Sequence, residues 1–351
     1  MAGHQQAMTP ALALAFESSC DETAVAIVSA DRRILSSRIA SQTKIHAAYG
    51  GVVPEVAARA HLTAVEPLLD EALNEAGCSL QDISLIASTT GPGLIGGVLV
   101  GAMYGKTLAY ALGKPWYAIN HLEGHALTAR LTHDVAYPYL LLLVSGGHTQ
   151  LLWVEGVGRY KRLGTTLDDA AGECFDKSAK MMGLGYPGGP ALERCAQGGD
   201  AKRFALPQPM LGKAGCDFSF SGLKTAVRLK VEALGAAPNP DDLRDLAASL
   251  QHTIARTLAD RTRHALAMVP QKPAALVVAG GVAANKVVCA ALETVASEAG
   301  ITHIAPPLAL CGDNAAMIAW AALERHHAGI GMDGDGKPRP RWPLDPSAGA
   351  R

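Results

Sequence analysis

Tyr139-Leu-Leu-Leu-Leu-Val144 is an unbroken apolar run, and after Ser145-Gly-Gly-His148-Thr149 the chain resumes as Gln150-Leu-Leu-Trp-Val154. Short apolar runs bounded by small polar residues read as buried strands, so the stretch is strand, tight turn, strand. The same organisation stands near the start of the chain. Residues 12–16 and 24–28 are apolar, with Glu17-Ser-Ser-Cys-Asp-Glu-Thr23 between them. A weak internal repeat of this kind predicts two α/β lobes of related topology with a site between them.

Outward from these two stretches the pattern alternates between strand and helix. Residues 54–76 carry apolar side chains at helical spacing and stop at Gly77. Residues 83–87 read as a strand, followed by the Gly91-Pro-Gly93 turn, a small-residue helix to Leu112, and a strand over 114–119. Residues 274–279 are a further strand running into Gly280-Gly-Val-Ala-Ala-Asn285 and a helix. A glycine-rich strand-to-helix turn suits an anion or nucleotide, because the first N–H groups of a helix lack partners.

With 351 residues and 49% apolar content the chain has material for two cores. Its 31 basic and 32 acidic residues leave a formal charge of -1, so no overall electrostatic footprint of nucleic-acid binding is present. Seven scattered cysteines with no C-x-x-C pair fit a reducing compartment better than a disulfide framework. The first residues lack the positive region of a secretory signal. The long uncharged run at 86–105 is interrupted by a turn sequence. A cytoplasmic protein without a membrane association is expected.

Two glycine motifs lose their usual meaning in context. Gly101-Ala-Met-Tyr-Gly105-Lys-Thr107 has three residues between its glycines where a phosphate-binding loop needs four. Gly91-Pro-Gly93-Leu-Ile-Gly96 follows a strand, but residues 116–120 offer no acidic residue to hold a ribose. The first also sits inside an apolar helical stretch and reads as structural, and tight helix–strand packing is the better reading of the second.

His121-Leu-Glu-Gly-His125 places two imidazoles four residues apart on one helical face, a bidentate metal platform. Asn120 would cap that helix, with Glu123 completing a capping box. Glu123 stands one position too late to serve as the general base of a zinc peptidase. A helix N-terminus also repels cations, so a metal here would need a carboxylate from elsewhere. Taken alone, the pair leaves metal ligation and ordinary histidines both open.

Together the motifs resemble one family, the tRNA N6-adenosine threonylcarbamoyltransferases in their bacterial form. The resemblance rests on Glu17–Thr23, His46-Ala-Ala-Tyr-Gly-Gly-Val-Val-Pro-Glu55, Gly91-Pro-Gly-Leu94, His121–His125, Ser145–Thr149, Asp168-Asp-Ala-Ala-Gly-Glu173 and Phe175-Asp-Lys177. It continues through Tyr186-Pro-Gly-Gly-Pro190, Phe218-Ser-Phe-Ser-Gly-Leu-Lys-Thr225, Gly280–Asn285 and Asp313-Asn314. Ser18 stands where the family usually has Thr, and Gly312 where many relatives have Thr.

The resemblance implies an actin-like (sugar-kinase and Hsp70-type) α/β fold with two lobes, each a mixed sheet flanked by helices, and the active site in the interlobe cleft. The expected division is residues 1–120 and 121–310 for the lobes, 311–330 for a helix returning to the first lobe, and 331–351 for an exposed tail. The implied metal is one divalent ion, iron (Fe2+) or zinc, on His121, His125 and Asp313. The implied reaction moves threonylcarbamoyl from threonylcarbamoyl-AMP to N6 of the adenosine beside the anticodon (position 37), in tRNAs reading codons that begin with A. The implied partners are tRNA, a paralogous actin-like protein (TsaB) and a small P-loop ATPase (TsaE).

By the same carry-over, N–H groups of Val144, Ser145, Gly146, Gly147 and His148 cradle phosphate and acyl adenylate, while Asp176, Gly189 and Asn285 contact ribose and adenine. Each has a plainer alternative: a hairpin turn for the first set, a solvated acidic stripe (Asp169, Glu173, Asp176) and a helix cap (Asn285) for the second. Asp21 and Glu22 match the family's acidic pair. A nearby carboxylate suits an exocyclic amine that must lose a proton as it attacks. The competing readings are a kinase or ATPase of the same fold, a metallopeptidase and a non-catalytic scaffold.

Overall fold

The computed structural model describes residues 11–47, 49, 51–185, 187–331 and 335–348. The signal-peptide reading of the first residues, and Tyr186 of the Tyr186–Pro190 motif, fall outside that set. The chain forms two compact units, Met1–Leu131 with Asp313–Pro343, and Thr132–Gly312 with Leu344–Arg351.

The first unit contains β1 (Leu12–Glu17), β2 (Glu22–Ser29), β3 (Ile34–Ser41), α1 (Thr43–Ala47), α2 (Pro54–Ala76), β4 (Leu85–Gly91), α3 (Ile95–Leu112), β5 (Trp116–Asn120) and α4 (His121–Thr132). Its sheet runs β3-β2-β1-β4-β5; β1 pairs antiparallel with β2 and parallel with β4, which pairs parallel with β5. The second unit contains β6 (Tyr139–Val144), β7 (Thr149–Gly156), β8 (Arg159–Thr165), α5 (Ala171–Met181), α6 (Gly188–Cys195), α7 (Ser221–Leu234), α8 (Pro240–Met268), β9 (Ala275–Ala279), α9 (Lys286–Glu298) and β10 (Thr302–Ile304). Its order, β10-β9-β6-β7-β8, reproduces the first sheet strand for strand, with β6 between antiparallel β7 and parallel β9. The repeat read from residues 12–28 and 139–154 is the paired central hairpin of these two sheets.

The last helix, α10 (Ala315–His327), belongs to the first unit. The division corrects the expected one. α4 follows β5 without an intervening loop and belongs with the first unit, because Gly124 lets it press against α10: a Cβ there would lie 2.8 Å from Ile318 Cδ1. The expected exposed tail is also corrected. Arg339 N–H donates to Thr90 O at 2.8 Å, Asn120 Nδ2 donates to Trp342 O at 2.9 Å, and Asp345 accepts the Arg162 N–H at 2.9 Å. Backbone and side-chain partners in both units thus hold the segment down.

The rejected phosphate-loop motif is a packing device. On α3, a Cβ at Gly97 would fall 2.4 Å from Ser18 O and one at Gly101 would fall 2.3 Å from Ser18 Oγ. Ser18 Oγ donates to Gly97 O at 2.8 Å and accepts the Gly101 N–H at 3.1 Å. The hydroxyl that Ser18 shares with Thr therefore pins α3 to the turn after β1. By length and composition α3 is apolar enough to cross a membrane; here its glycine face lies on the sheet while Ile95, Leu99 and Met103 are exposed.

Candidate functional site

In the first unit the parallel strands β1, β4 and β5 end side by side, with Phe16 opposite Ser88 and Gly91 opposite Asn120. Functional residues gather at such carboxyl ends because the loops there are free to vary. β1 delivers Glu17, Asn120 passes directly into His121, and Asn120 Oδ1 accepts the Leu122 N–H at 2.9 Å, capping α4. Asp313 arrives from the far end of the chain just before α10. Asn314 fixes that approach by accepting the Met317 N–H at 3.0 Å.

His121, His125 and Asp313 each offer a ligand atom within 4.8 Å of the others. Asp313 Oδ1 lies 3.4 Å from His121 Nε2 and 3.2 Å from His125 Nε2. Two imidazoles and a carboxylate converging from a helix and a distant loop suit zinc or iron. The electrostatics fit too. Burial works against the charged forms, yet Asp313 and Glu17 hold the His121 imidazole well above its ordinary value, and His121 holds Asp313 well below its own. Asp313 and Glu17 thus bring to the N-terminus of α4 the negative charge that a cation there requires.

The sequence alone gives Glu17 no role of its own and gives Glu123 that of completing a capping box. Glu17 is fully buried. Its Oε1 accepts the Ser19 N–H at 2.6 Å, and its Oε2 accepts Thr89 Oγ1 at 2.5 Å and faces His121 Nδ1 at 3.0 Å. Burial raises its carboxyl, but the His121 charge and hydrogen bond outweigh that and bring it below the ordinary value. A carboxylate on Nδ1–H fixes the ring tautomer that leaves Nε2 free as a ligand. Glu17→Gln replaces an acceptor with an amide that can donate to Nδ1, moving the ring proton to Nε2. Metal affinity should drop about 10–100-fold, the usual scale for losing such a partner. Chelator competition measures it, and circular dichroism confirms the fold.

Glu123, the residue a peptidase would use, is buried against Arg325 Nε at 2.7 Å. That ion pair ties α4 to α10 and takes one carboxylate oxygen away from the pocket. Glu22, the first residue of β2, is pushed up to about 8 by burial, then by the charges of Asp21 and Asp313, a hydrogen bond with Asp21, and Glu17. Asp21 is buried beside it. The acidic pair and the His–His–Asp set thus belong to one cluster.

In the second unit, a cavity of about 240 Å³ is lined by Gly146, Asp176, Gly189 and Asn285 together with Phe175 and Glu193. It sits by the carboxyl ends of the parallel pair β6 and β9. Asp176 Oδ1 accepts the Gly189 N–H at 3.1 Å, and burial raises its carboxyl despite the N–H groups of Gly189 and Gly188. Glu173 instead pairs with Lys177, and Asp169 with Lys224 at 2.5 Å. The acidic stripe therefore splits into a surface ion-pair group and one residue that faces the cavity.

Asn285 fills both of its readings. Oδ1 caps α9 by accepting the Val287 and Val288 N–H groups at 3.1 Å, Nδ2 donates to Gln251 Oε1 at 2.8 Å, and the residue lines the cavity. The 144–148 cradle is narrower than expected. Val144 is a buried strand end. Ser145 N–H donates to His148 O at 2.8 Å, and Ser145 Oγ accepts the N–H groups of Gly147 and His148 at 3.3 and 3.1 Å. These donors close a hairpin turn, and Gly146 is the residue of the set that lines the cavity. Glu193, which accepts the Lys286 N–H at 2.9 Å, had no signal in the sequence.

A family model described as tRNA N6-adenosine threonylcarbamoyltransferase matches residues 33–320. The protein of that name from Paramagnetospirillum magneticum is 58% identical over 340 residues, covering 96% of this chain and 98% of its own. The one from Rhizobium meliloti is 57% identical over 349 residues, covering 96% of each chain. Among solved structures, HypF of T. kodakarensis matches 92% of this chain with 48% of its own, at TM-score 0.59 and 14% identity. The repeated five-strand sheets are those of the actin-like, sugar-kinase type of fold.

Proposed function

The chain belongs to the tRNA N6-adenosine threonylcarbamoyltransferase family, and from that premise we propose how it carries out the transfer. The donor is threonylcarbamoyl-AMP, and the acceptor is N6 of the adenosine beside the anticodon in tRNAs reading codons that begin with A. The new bond joins N6 to the carbamoyl carbon, the bond from that carbon to phosphate oxygen breaks, and AMP leaves. The reaction takes place in the cytoplasm, with a paralogous actin-like protein and a P-loop ATPase supporting turnover.

The observation that carries this reading is the convergence of His121 Nε2, His125 Nε2 and Asp313 Oδ1. These residues would hold one divalent ion, Fe2+ or zinc, supplying Lewis acidity toward a carbonyl or phosphate oxygen. Glu17 keeps His121 in the ligating tautomer. Glu22, with Asp21 beside it, takes the proton that N6 loses on attack. In the second unit, Asp176 accepts from ribose hydroxyls, Gly189 admits the nucleoside closely, and the remaining amide hydrogen of Asn285 donates to adenine.

Nucleoside mass spectrometry of bulk tRNA from depleted cells tests the reading. Threonylcarbamoyladenosine should disappear and return with the wild-type gene. In reconstitution with purified partners, a transcript with guanosine in place of the acceptor adenosine should remain unmodified. Persistence of the nucleoside after verified depletion would overturn the reading.

A further inference from the structure

A second group of metal-ligating side chains lies outside the site described above. Cys289 and Glu293 stand one turn apart on α9, and His303 lies on β10, the edge strand of the second sheet. Each offers a ligand atom within 4.8 Å of the other two. Cys289 Sγ is 3.5 Å from Glu293 Oε1, and His303 Nδ1 is 3.9 Å from the same oxygen. The His303 side chain is 12% exposed, so packing between β10 and α9 holds the ring in place.

We propose that Cys289, Glu293 and His303 form a second divalent-cation site, of zinc type, that ties α9 to the edge strand β10. Tetrahedral zinc with a sulfur ligand at about 2.3 Å and an oxygen ligand at about 2.0 Å separates those two atoms by about 3.5 Å. That is the spacing of Cys289 and Glu293. The imidazole has to approach the carboxylate by about half an ångström to meet the corresponding spacing. Glu293 supplies that movement, since its side chain is 60% exposed. A thiol, an imidazole and a single carboxylate select a borderline-soft ion over magnesium or calcium. On binding, the sulfur–metal bond forms as the thiol proton leaves to solvent.

The location gives such an ion a consequence. The Cys289 N–H donates to Asn285 O at 2.9 Å, so the ligands begin one turn below the residue that caps α9 and lines the cavity. β10 is only three residues long and is held on one side by β9. A cross-link from helix to strand would steady both this short edge and the Asn285 end of the helix.

Cobalt titration of chelator-stripped full-length protein tests this, because thiolate ligation gives a charge-transfer band in the near ultraviolet. The His121, His125 and Asp313 set contains no sulfur. Wild type should develop the band within two equivalents, the other being taken by the sulfur-free set, zinc should abolish it, and chelator competition should give a dissociation constant below micromolar. In Cys289→Ser the band should vanish and zinc affinity at this site should fall about 100-fold. His303→Gln should weaken binding, and zinc should raise the thermal midpoint of wild type more than that of either variant. No band in wild type, a band that survives in Cys289→Ser, or binding only at millimolar zinc would each overturn the proposal.

Discussion

Removing both imidazoles should abolish the transfer: His121→Ala/His125→Ala is expected to form threonylcarbamoyladenosine at least about 1,000-fold more slowly than wild type. That loss corresponds to about 4 kcal/mol of transition-state stabilisation, within what a Lewis-acid ion supplies to acyl transfer. The double variant should also purify with no metal above background while keeping its affinity for tRNA. Full activity in it would sink the metal mechanism and leave the family assignment standing. Metal loading of wild type should itself depend on pH. Asp313 and Glu17 hold the His121 proton well above the ordinary imidazole value, and a ligating ion must displace that proton. Affinity should therefore rise with pH through the neutral range. Adding back Fe2+ and Zn2+ separately to stripped wild type, with the rate as readout, identifies the active ion.

Much of this centre was legible in the sequence, for physical reasons. His121 and His125 are four residues apart on a helix, so their convergence is local geometry. The central strands were legible because strands buried on both faces read as apolar runs. What escaped depends on contacts far along the chain. Glu17 occurs in a quoted motif, yet its position against His121, 104 residues away, exists only once β1 and β5 end side by side. Arg325 claims Glu123 from 202 residues away. The strands β3, β8 and β10 were not anticipated, because they leave most positions exposed or half-buried and lose the apolar signature. The 331–351 segment misled for a related reason. A stretch rich in Gly and Pro can dock through backbone hydrogen bonds that leave no mark on composition.

Glu22→Gln should lower the transfer rate about 100–10,000-fold, the range that a positioned general base contributes. N6 of adenine is a weak nucleophile that becomes cationic as it attacks, and the loss of its proton must be synchronised with bond formation. A neutral amide cannot accept that proton. Wild-type rate should climb with pH as the carboxylate forms, and that limb should be missing in the variant. Stability should move the opposite way. A carboxyl whose folded value is raised contributes stability that is complete below its unfolded value and is lost as pH rises through the folded one. In the metal-free protein, thermal midpoints measured from pH 5 to pH 9 should show Glu22→Gln gaining on wild type as pH rises, then levelling above about 8. Opposite signs for rate and stability in one substitution would mark Glu22 as a group kept at an energetic disadvantage for chemistry. A variant within twofold of wild type in rate, with a flat stability difference across that range, would instead make Glu22 a bystander and move the proton to Asp21 or to a partner.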